Sequence, residues 1–426
     1  MNKFTKTALA SLFTFSAAGA SAAAFQLAEV STSGLGMAYA GNAAVADNAS
    51  VVATNPALMT KFKQIEISAG GILVDADVDI EGSYLGQNAN AKNIIPSAVV
   101  PNLYIVAPIN DRLVIGGGVN VNYGLKSKFQ KEYSAGLFGG QTKLTAANYN
   151  FSAAYDLGYG FSFGAGFNAV HAKAQLERYA GYTSNLINAR AGGLPVTSNA
   201  TIMGKLKGDT WGFGWNVGLN YDINERNRLG VAYHSAVKLG FDGQYSNELP
   251  ILLGGLGGNS IPGSLDLTLP AYWEVSGYHK LTDKFAVQYS YKRTDWSKFQ
   301  ELHATNNAGV TLLHKDEKFS DASRIAIGAS YDVNETFTLR AGIAFDESAS
   351  VEKPSISIPD TDRTWYALGA TYRFTPNLSV DVAYAHLRGS KTSFTETETT
   401  RLGTVSGSFK SKSTANLYGL NINYKF

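Results

Sequence analysis

The chain has 426 residues, with 36 basic side chains against 34 acidic ones, six histidines and no cysteine. That balance excludes the strongly basic footprint of a nucleic-acid-binding protein, and the missing cysteines exclude a disulfide scaffold. Hydrophobic residues make up 45% of the chain, yet past residue 22 there is no run of about 18 apolar residues that would cross a bilayer as a helix.

Lys3 and Lys6 precede the apolar run Ala8 to Ala20, and Ala20-Ser21-Ala22 has the small residues of a cleavage site. Residues 1–22 are therefore expected to be an export signal, and without it 34 basic residues face 34 acidic ones. Residues 23–62 are rich in Ala, Gly, Ser and Asn and lack alternation. This stretch ends in the turn-like Asn55-Pro56-Ala57.

From residue 63 to 426 the chain is a succession of alternating strands. Leu229, Val231, Tyr233, Val237, Leu239 and Phe241 form one apolar face, and Phe337, Leu339, Ala341, Ile343 and Phe345 another. The last strand alternates to a terminal aromatic, Phe426. Many runs reach the 9 to 11 residues that a tilted strand needs to cross a bilayer. Short turns near 110, 159, 225, 283, 334 and 376 alternate with long polar or Gly-rich loops, the arrangement of an outer-membrane barrel. Six turns and seven loops predict an all-β fold, a 14-stranded antiparallel transmembrane β-barrel with both ends at the periplasmic side. A lumen that wide is not filled by its own side chains, so residues 23–62 are expected to form a partly helical plug inside it.

Several segments are then similar to the outer-membrane long-chain fatty acid transporters of the FadL family: AAFQLAEVSTSGLGMAYAG, ATNPALMTKF, VAPINDR, WGFGWNVGLNYD, LPAYWEVSGY, RIAIGASY and SISIPDTDR. The resemblance implies capture of an acyl ligand between long loops, transfer to a tighter pocket, rearrangement of the N-terminal hatch, and passive lateral exit near a kinked third strand. It implies long-chain fatty acids or similar hydrophobic molecules as ligands, aromatic hydrocarbons among the alternatives. The implied setting is a monomer in the outer membrane of a Gram-negative bacterium, among lipid and lipopolysaccharide, inserted by the barrel assembly machinery.

On this resemblance Phe25 reaches the pocket, or simply anchors a terminus, and Asn55, Pro56 and Ala57 gate the wall, or simply make a firm turn. Arg178 and Lys315 match positions that contact a carboxylate. Parity from Phe161 places Arg178 in the lumen, whereas counting back from Arg324 points Lys315 outward. Asp346 is expected to face inward, as part of the ligand site or paired with a lumen cation or the hatch. Leu186 and Ile187 with Leu249, Ile251, Leu252 and Leu253 are read as the capture groove. Gly116, Gly117 and Gly118 are read as the wall opening, since glycine in a strand marks a bend, or as close packing against the plug.

An enzyme would need a nucleophile, a base and an acid, or metal ligands at a recognisable spacing. His171, His234, His279, His303, His314 and His386 are scattered, so the expectation is no catalytic set, no metal and no cofactor. A general porin for polar solutes is the remaining rival, and the plug speaks against it.

Overall fold

The structure, a computed structural model, describes residues 24–400 and 403–426; the expected export signal lies outside them. Among the described residues the wall consists of fourteen antiparallel strands. They are β1 (Glu66–Tyr84), β2 (Ala98–Pro108), β3 (Leu113–Lys128), β4 (Gln141–Gly158), β5 (Phe161–Tyr179), β6 (Ile202–Asn224), β7 (Asn227–His234, then Val237–Ser246), β8 (Ser260–Leu269, then Tyr272–Lys280) and β9 (Phe285–Thr294, then Glu301–Thr305). The remainder are β10 (Thr311–Asp316, then Ala322–Asp332), β11 (Phe337–Asp346), β12 (Arg363–Arg373), β13 (Leu378–Gly389, then Thr392–Thr400) and β14 (Gly403–Lys425). β14 closes the barrel on β1, from Glu66↔Lys425 to Tyr84↔Gly407.

Strand alternation sets which residues meet lipid. In β11, Leu339, Ile343 and Phe345 face outward while Thr338, Arg340 and Asp346 are buried in the lumen. β7 and β8 depart from the sequence expectation. Leu229 and Val231 are exposed, but Val237, Leu239 and Phe241 are buried, so the face read as one continuous stripe is split in two. The ladder stops at residues 235–236, and the chain resumes with its faces exchanged. β8 does the same around Pro270, which has no N–H for the ladder: Leu265, Leu267 and Leu269 point in, whereas Trp273 and Val275 point out. Above the two breaks the outer surface carries Lys238, Asp242 and Asp266, all exposed. These two strands are thus apolar outside where lipid surrounds them and apolar inside where water does.

The plug fills the lower lumen. α1 (Thr32–Leu35) is capped by Ser31, whose Oγ accepts from Gly34 N at 3.1 Å, and α2 (Val51–Thr54) leads into a 3-10 turn, Pro56–Lys61. Val51, Val52, Leu58 and Met59 pack on Tyr104, Val106, Val114 and Ala154 of the wall. Polar contacts also hold it: Arg340 Nη2 lies 3.0 Å from Asp47, and the buried Thr32 Oγ1 donates to Asn421 at 2.6 Å.

Candidate functional site

The exchanged faces of β7 and β8 supply one side of an apolar cavity in the upper lumen. Its empty space, open mouth included, is about 700 Å³, within the range of small-molecule sites, and Leu144, Leu176, Leu206, Phe241, Leu267 and Leu302 line it. Phe25 forms its inner end. The ring meets Trp296 edge-on at 4.7 Å, Phe299 at 5.4 Å and Tyr123 at 6.2 Å between centroids. Such an edge-to-face nest fixes the ring's position beyond what burial alone would do.

A polar cluster lies beside the cavity. Arg178 Nη1 donates to Thr142 Oγ1, a cavity-lining group, at 3.3 Å and to the Glu177 carbonyl at 2.9 Å. Lys315 is two residues from the lining Leu313, and Ser357 is next to the lining Ile358. Lys315 Nζ donates to Ser355 and Ser357, at 2.5 and 3.2 Å. It is also ion-paired, with Glu317 at 3.3 Å and Glu396 at 3.2 Å. Lys315 therefore faces the lumen, contrary to the count from Arg324, because the break at 317–321 resets the alternation of β10. Glu317 is two residues from Lys315, whereas Ser355 and Ser357 come from the loop before β12 and Glu396 from the upper part of β13, a meeting invisible in the sequence. Burial pushes the Glu317 carboxyl above the usual carboxylate range; Lys315 pulls it back and Glu396 adds to the rise.

The wall has a gap, but not at the glycines. Gly116, Gly117 and Gly118 sit in unbroken ladders to Val106, Ile105 and Tyr104 on one side and Ser152, Phe151 and Asn150 on the other. A Cβ on Gly116 would come within 2.5 Å of Met59 Sδ, and one on Gly118 within 2.4 Å of Tyr104, so close packing accounts for these residues. The pairing of β2 with β3 ends at Leu103↔Val119, and β3 is bulged between Val121 and Tyr123. Residues 98–102 and 120–128 have no rungs between them until the loop carbonyl of Ile94 accepts from Lys128 N at 2.8 Å. The hatch occupies this interval from within: Leu27 N donates to Asn122 O at 2.8 Å and Gly124 N to Phe25 O at 2.9 Å, with Gln26 bridging Tyr123.

Asn55, Pro56 and Ala57 lie elsewhere. Asn55 Nδ2 donates to the carbonyls of Ala43 at 2.7 Å and Leu219 at 3.2 Å, and its Oδ1 accepts from Ala57 N at 3.0 Å. Pro56 and Ala57 press on Gly164 of β5, and Asn55 on Gly218 of β6. The tripeptide is thus seated on β5 and β6 rather than at the gap. Asp346 does face inward, but it is bound by Arg324 Nε at 2.8 Å and by Trp365 Nε1 at 2.5 Å and does not line the apolar cavity. Arg324 in turn donates to the hatch carbonyl of Ala38 at 2.8 Å, so Asp346 steadies the plug.

Of the expected capture groove, Ile251 and Leu252 are strongly exposed, at 69% and 99%, with Leu253 and Leu186 at 40%. Ile187, by contrast, is buried in the packing of α3 (Thr183–Arg190), and Leu249 is half-buried. The two loops meet through Glu248, whose N donates to Ile202 O at 2.8 Å. Cross-strand pairing also creates a cluster that spacing along the chain concealed. On the exposed face of the β9–β10 hairpin, Glu301, His314 and Asp316 place possible ligand atoms within 4.8 Å of one another.

Fold and site together define a class: an outer-membrane barrel, plugged from its N-terminus, with an apolar ligand cavity above the plug. Residues 13–426 match the family described as "Outer membrane protein transport protein (OMPP1/FadL/TodX)", and the chain belongs to that family. It is 56% identical over 434 residues to the 47 kDa outer membrane protein of Pasteurella multocida (strain Pm70), covering 100% of this chain and 99% of that one. To the long-chain fatty acid transport protein of Escherichia coli O6:H1 it is 46% identical over 444 residues, covering 99% of each. The crystal structure of a Pseudomonas aeruginosa FadL homologue superposes with a TM-score of 0.84 at 24% identity, over 95% of this chain and 100% of that one, a likeness of fold. The protein is an outer-membrane transporter of hydrophobic compounds.

Proposed function

We propose that the ligands are long-chain fatty acids, taken up passively. The observation that carries this reading is an apolar cavity lined by Phe25, with two cations beside it: Arg178, bonded to the lining Thr142, and Lys315, two residues from the lining Leu313. An acyl chain fits the leucine-lined part, and its carboxylate needs a cation because an unpaired buried charge is prohibitively costly. The exposed Ile251 and Leu252 offer an apolar first contact outside. Displacement of Phe25 moves the hatch segment bonded to β3, and the ligand leaves sideways through the interval between β2 and β3. No step calls for an energy source.

The test is a binding titration of the purified protein with a fatty acid and with an alkane of matching length. Replacing Arg178 and Lys315 together by Ala is expected to weaken fatty acid binding by about a hundredfold, at roughly 1.5–3 kcal/mol for each charge-assisted contact, while the alkane is nearly unaffected. Equal losses for both ligands overturn the assignment of the carboxylate. Large steady ion currents through the purified protein would favour a general pore instead.

A further inference from the structure

A second cavity lies directly behind Phe25. Its empty space, open mouth included, is about 500 Å³, and beside Leu27, Ala28 and Val30 its lining carries the polar Gln26, Asn122, Tyr272, Glu274, Lys292 and Arg324. Gln26 is the residue after Phe25, and Asn122 is the bulged residue of β3 at the wall gap. The chamber thus touches the inner end of the apolar cavity on one side and the gap on the other. The Phe25–Leu27 segment borders all three spaces, since Phe25 lines the first, Gln26 and Leu27 line the second, and their backbone bonds close the third.

Its two basic side chains differ. Arg324 is engaged by Asp346 and by the Ala38 carbonyl. Lys292 has no hydrogen-bond acceptor and no carboxylate oxygen within 4.0 Å among the described residues; its Nζ stands 4.3 Å from the centroid of the Tyr272 ring. Glu274, the residue paired with it across β8 and β9, balances its charge, so the empty chamber carries no excess charge from this pair. A buried amine resting on an aromatic face is a weakly satisfied cation, and an arriving anion offers it a stronger, charge-assisted bond.

We infer that this chamber is a transit site for the carboxylate headgroup, with Lys292 as its cation. The inference rests on the fatty acid reading of the first cavity and adds a second station to it. A carboxylate drawn past Phe25 leaves Arg178 and Lys315, and without a partner on the way its desolvation would bar the route to the gap. Lys292 supplies that partner at the level of the bulge. Glu274 keeps the hold weak, as a station that must release its ligand requires, while the acyl chain is free to enter the membrane through the gap.

The experiment compares wild type, Lys292→Met, which keeps the stem's packing, and Lys292→Arg, which keeps the charge. Protein-dependent uptake by cells is measured for a radiolabelled saturated long-chain fatty acid and for the primary alcohol of the same length, beside equilibrium binding to the purified barrels. For Lys292→Met, fatty acid uptake is expected to fall about tenfold, the loss of one charge-assisted contact. Binding should stay within about twofold and alcohol uptake should be unchanged, and Lys292→Arg should restore most of the fatty acid uptake. Unchanged fatty acid uptake in Lys292→Met overturns the inference. So does an equal slowing of acid and alcohol, which would make Lys292 a packing residue on Tyr272. If Lys292→Met fails to insert, Glu274→Gln decides: it is expected to prolong fatty acid residence and not that of the alcohol. Absence of fatty acid binding by wild type would instead sink the underlying reading of the first cavity.

Discussion

The two ends of the hatch are held in opposite ways. The Asn55-Pro56-Ala57 end is tied by Asn55 Nδ2 to the β6 carbonyl of Leu219 and to the hatch carbonyl of Ala43, packs on Gly164 of β5, and its neighbours Leu58 and Met59 are buried in a cluster shared with β2, β3 and β4. The Phe25–Leu27 end is held by two backbone hydrogen bonds to a bulged strand, by one side-chain bond from Thr294 to Gln26, and by an aromatic nest whose other side opens on the ligand cavity. Local opening starts where few contacts must be broken. On the proposed function, sensing and sealing then share the same three residues, since displacing the Phe25 ring would pull on the bonds that close the wall. The far end then serves as the fixed point against which this movement happens.

The largest effect should come from locking one end at a time. The chain has no cysteine, so Gln26→Cys with Tyr123→Cys, directly opposite in an antiparallel bridge, is a site-specific lock at a spacing that suits a disulfide. Oxidised, it is expected to bring fatty acid uptake to the background of cells without the protein, and a reductant should restore it. A matching lock between Asn55→Cys and Gly218→Cys is expected to leave uptake near wild type. The reverse pattern would move the gate to the tripeptide.

A smaller, graded contrast follows from truncation. Phe25→Ala removes a buried ring, a change that costs about 3–5 kcal/mol in a packed core; the loss falls on the hatch terminus, and fatty acid affinity should drop roughly tenfold, equivalent to about 1.4 kcal/mol. Asn55→Ala loses a helix cap, at about 1 kcal/mol, and should lower the melting temperature while leaving affinity unchanged. Titration and thermal unfolding of the two variants separate these outcomes.

How much of this was legible in the sequence depends on how far alternation runs unbroken. In β11 it runs the full length, and Asp346 points inward as counted. In β7 it fails at Ser235, because two residues outside the ladder exchange the faces, and beyond that point Val237, Leu239 and Phe241 turn inward, where Phe241 lines the ligand cavity. Lys315 escaped the count for the same reason. Gly116 to Gly118 carry the composition of a bend, but three small residues serve equally to admit Met59 and Tyr104, and only the pairing decides between the two. The actual bulge, at Asn122, has no residue type to announce it. Glu396, from the upper part of β13, meets Lys315 across the fold, a proximity that no local pattern encodes.

The smallest predicted effect concerns the polar cluster beside the cavity. In the resting structure Lys315 is already paired with Glu317 and Glu396, so an incoming carboxylate competes with groups of its own kind. Glu317 titrates above the ordinary carboxyl value of 4.5 because it is buried. As pH falls from neutral, Glu317 therefore takes up its proton while a dissolved carboxylate ligand is still ionised, and Lys315 keeps Glu396 alone as a charged competitor for the ligand. Affinity for a fatty acid should then rise on mild acidification, by roughly three- to tenfold, or about 1 kcal/mol for a partly screened pair, and decline again once the ligand itself is protonated. Glu317→Gln should show the higher affinity already at neutral pH and lose the rise. Neither change should alter uptake through the Gln26–Tyr123 lock. That separation distinguishes a group that tunes how firmly the ligand is held from the three residues that open the wall, and a pH-independent affinity in wild type would show that Lys315 is not shared with the ligand.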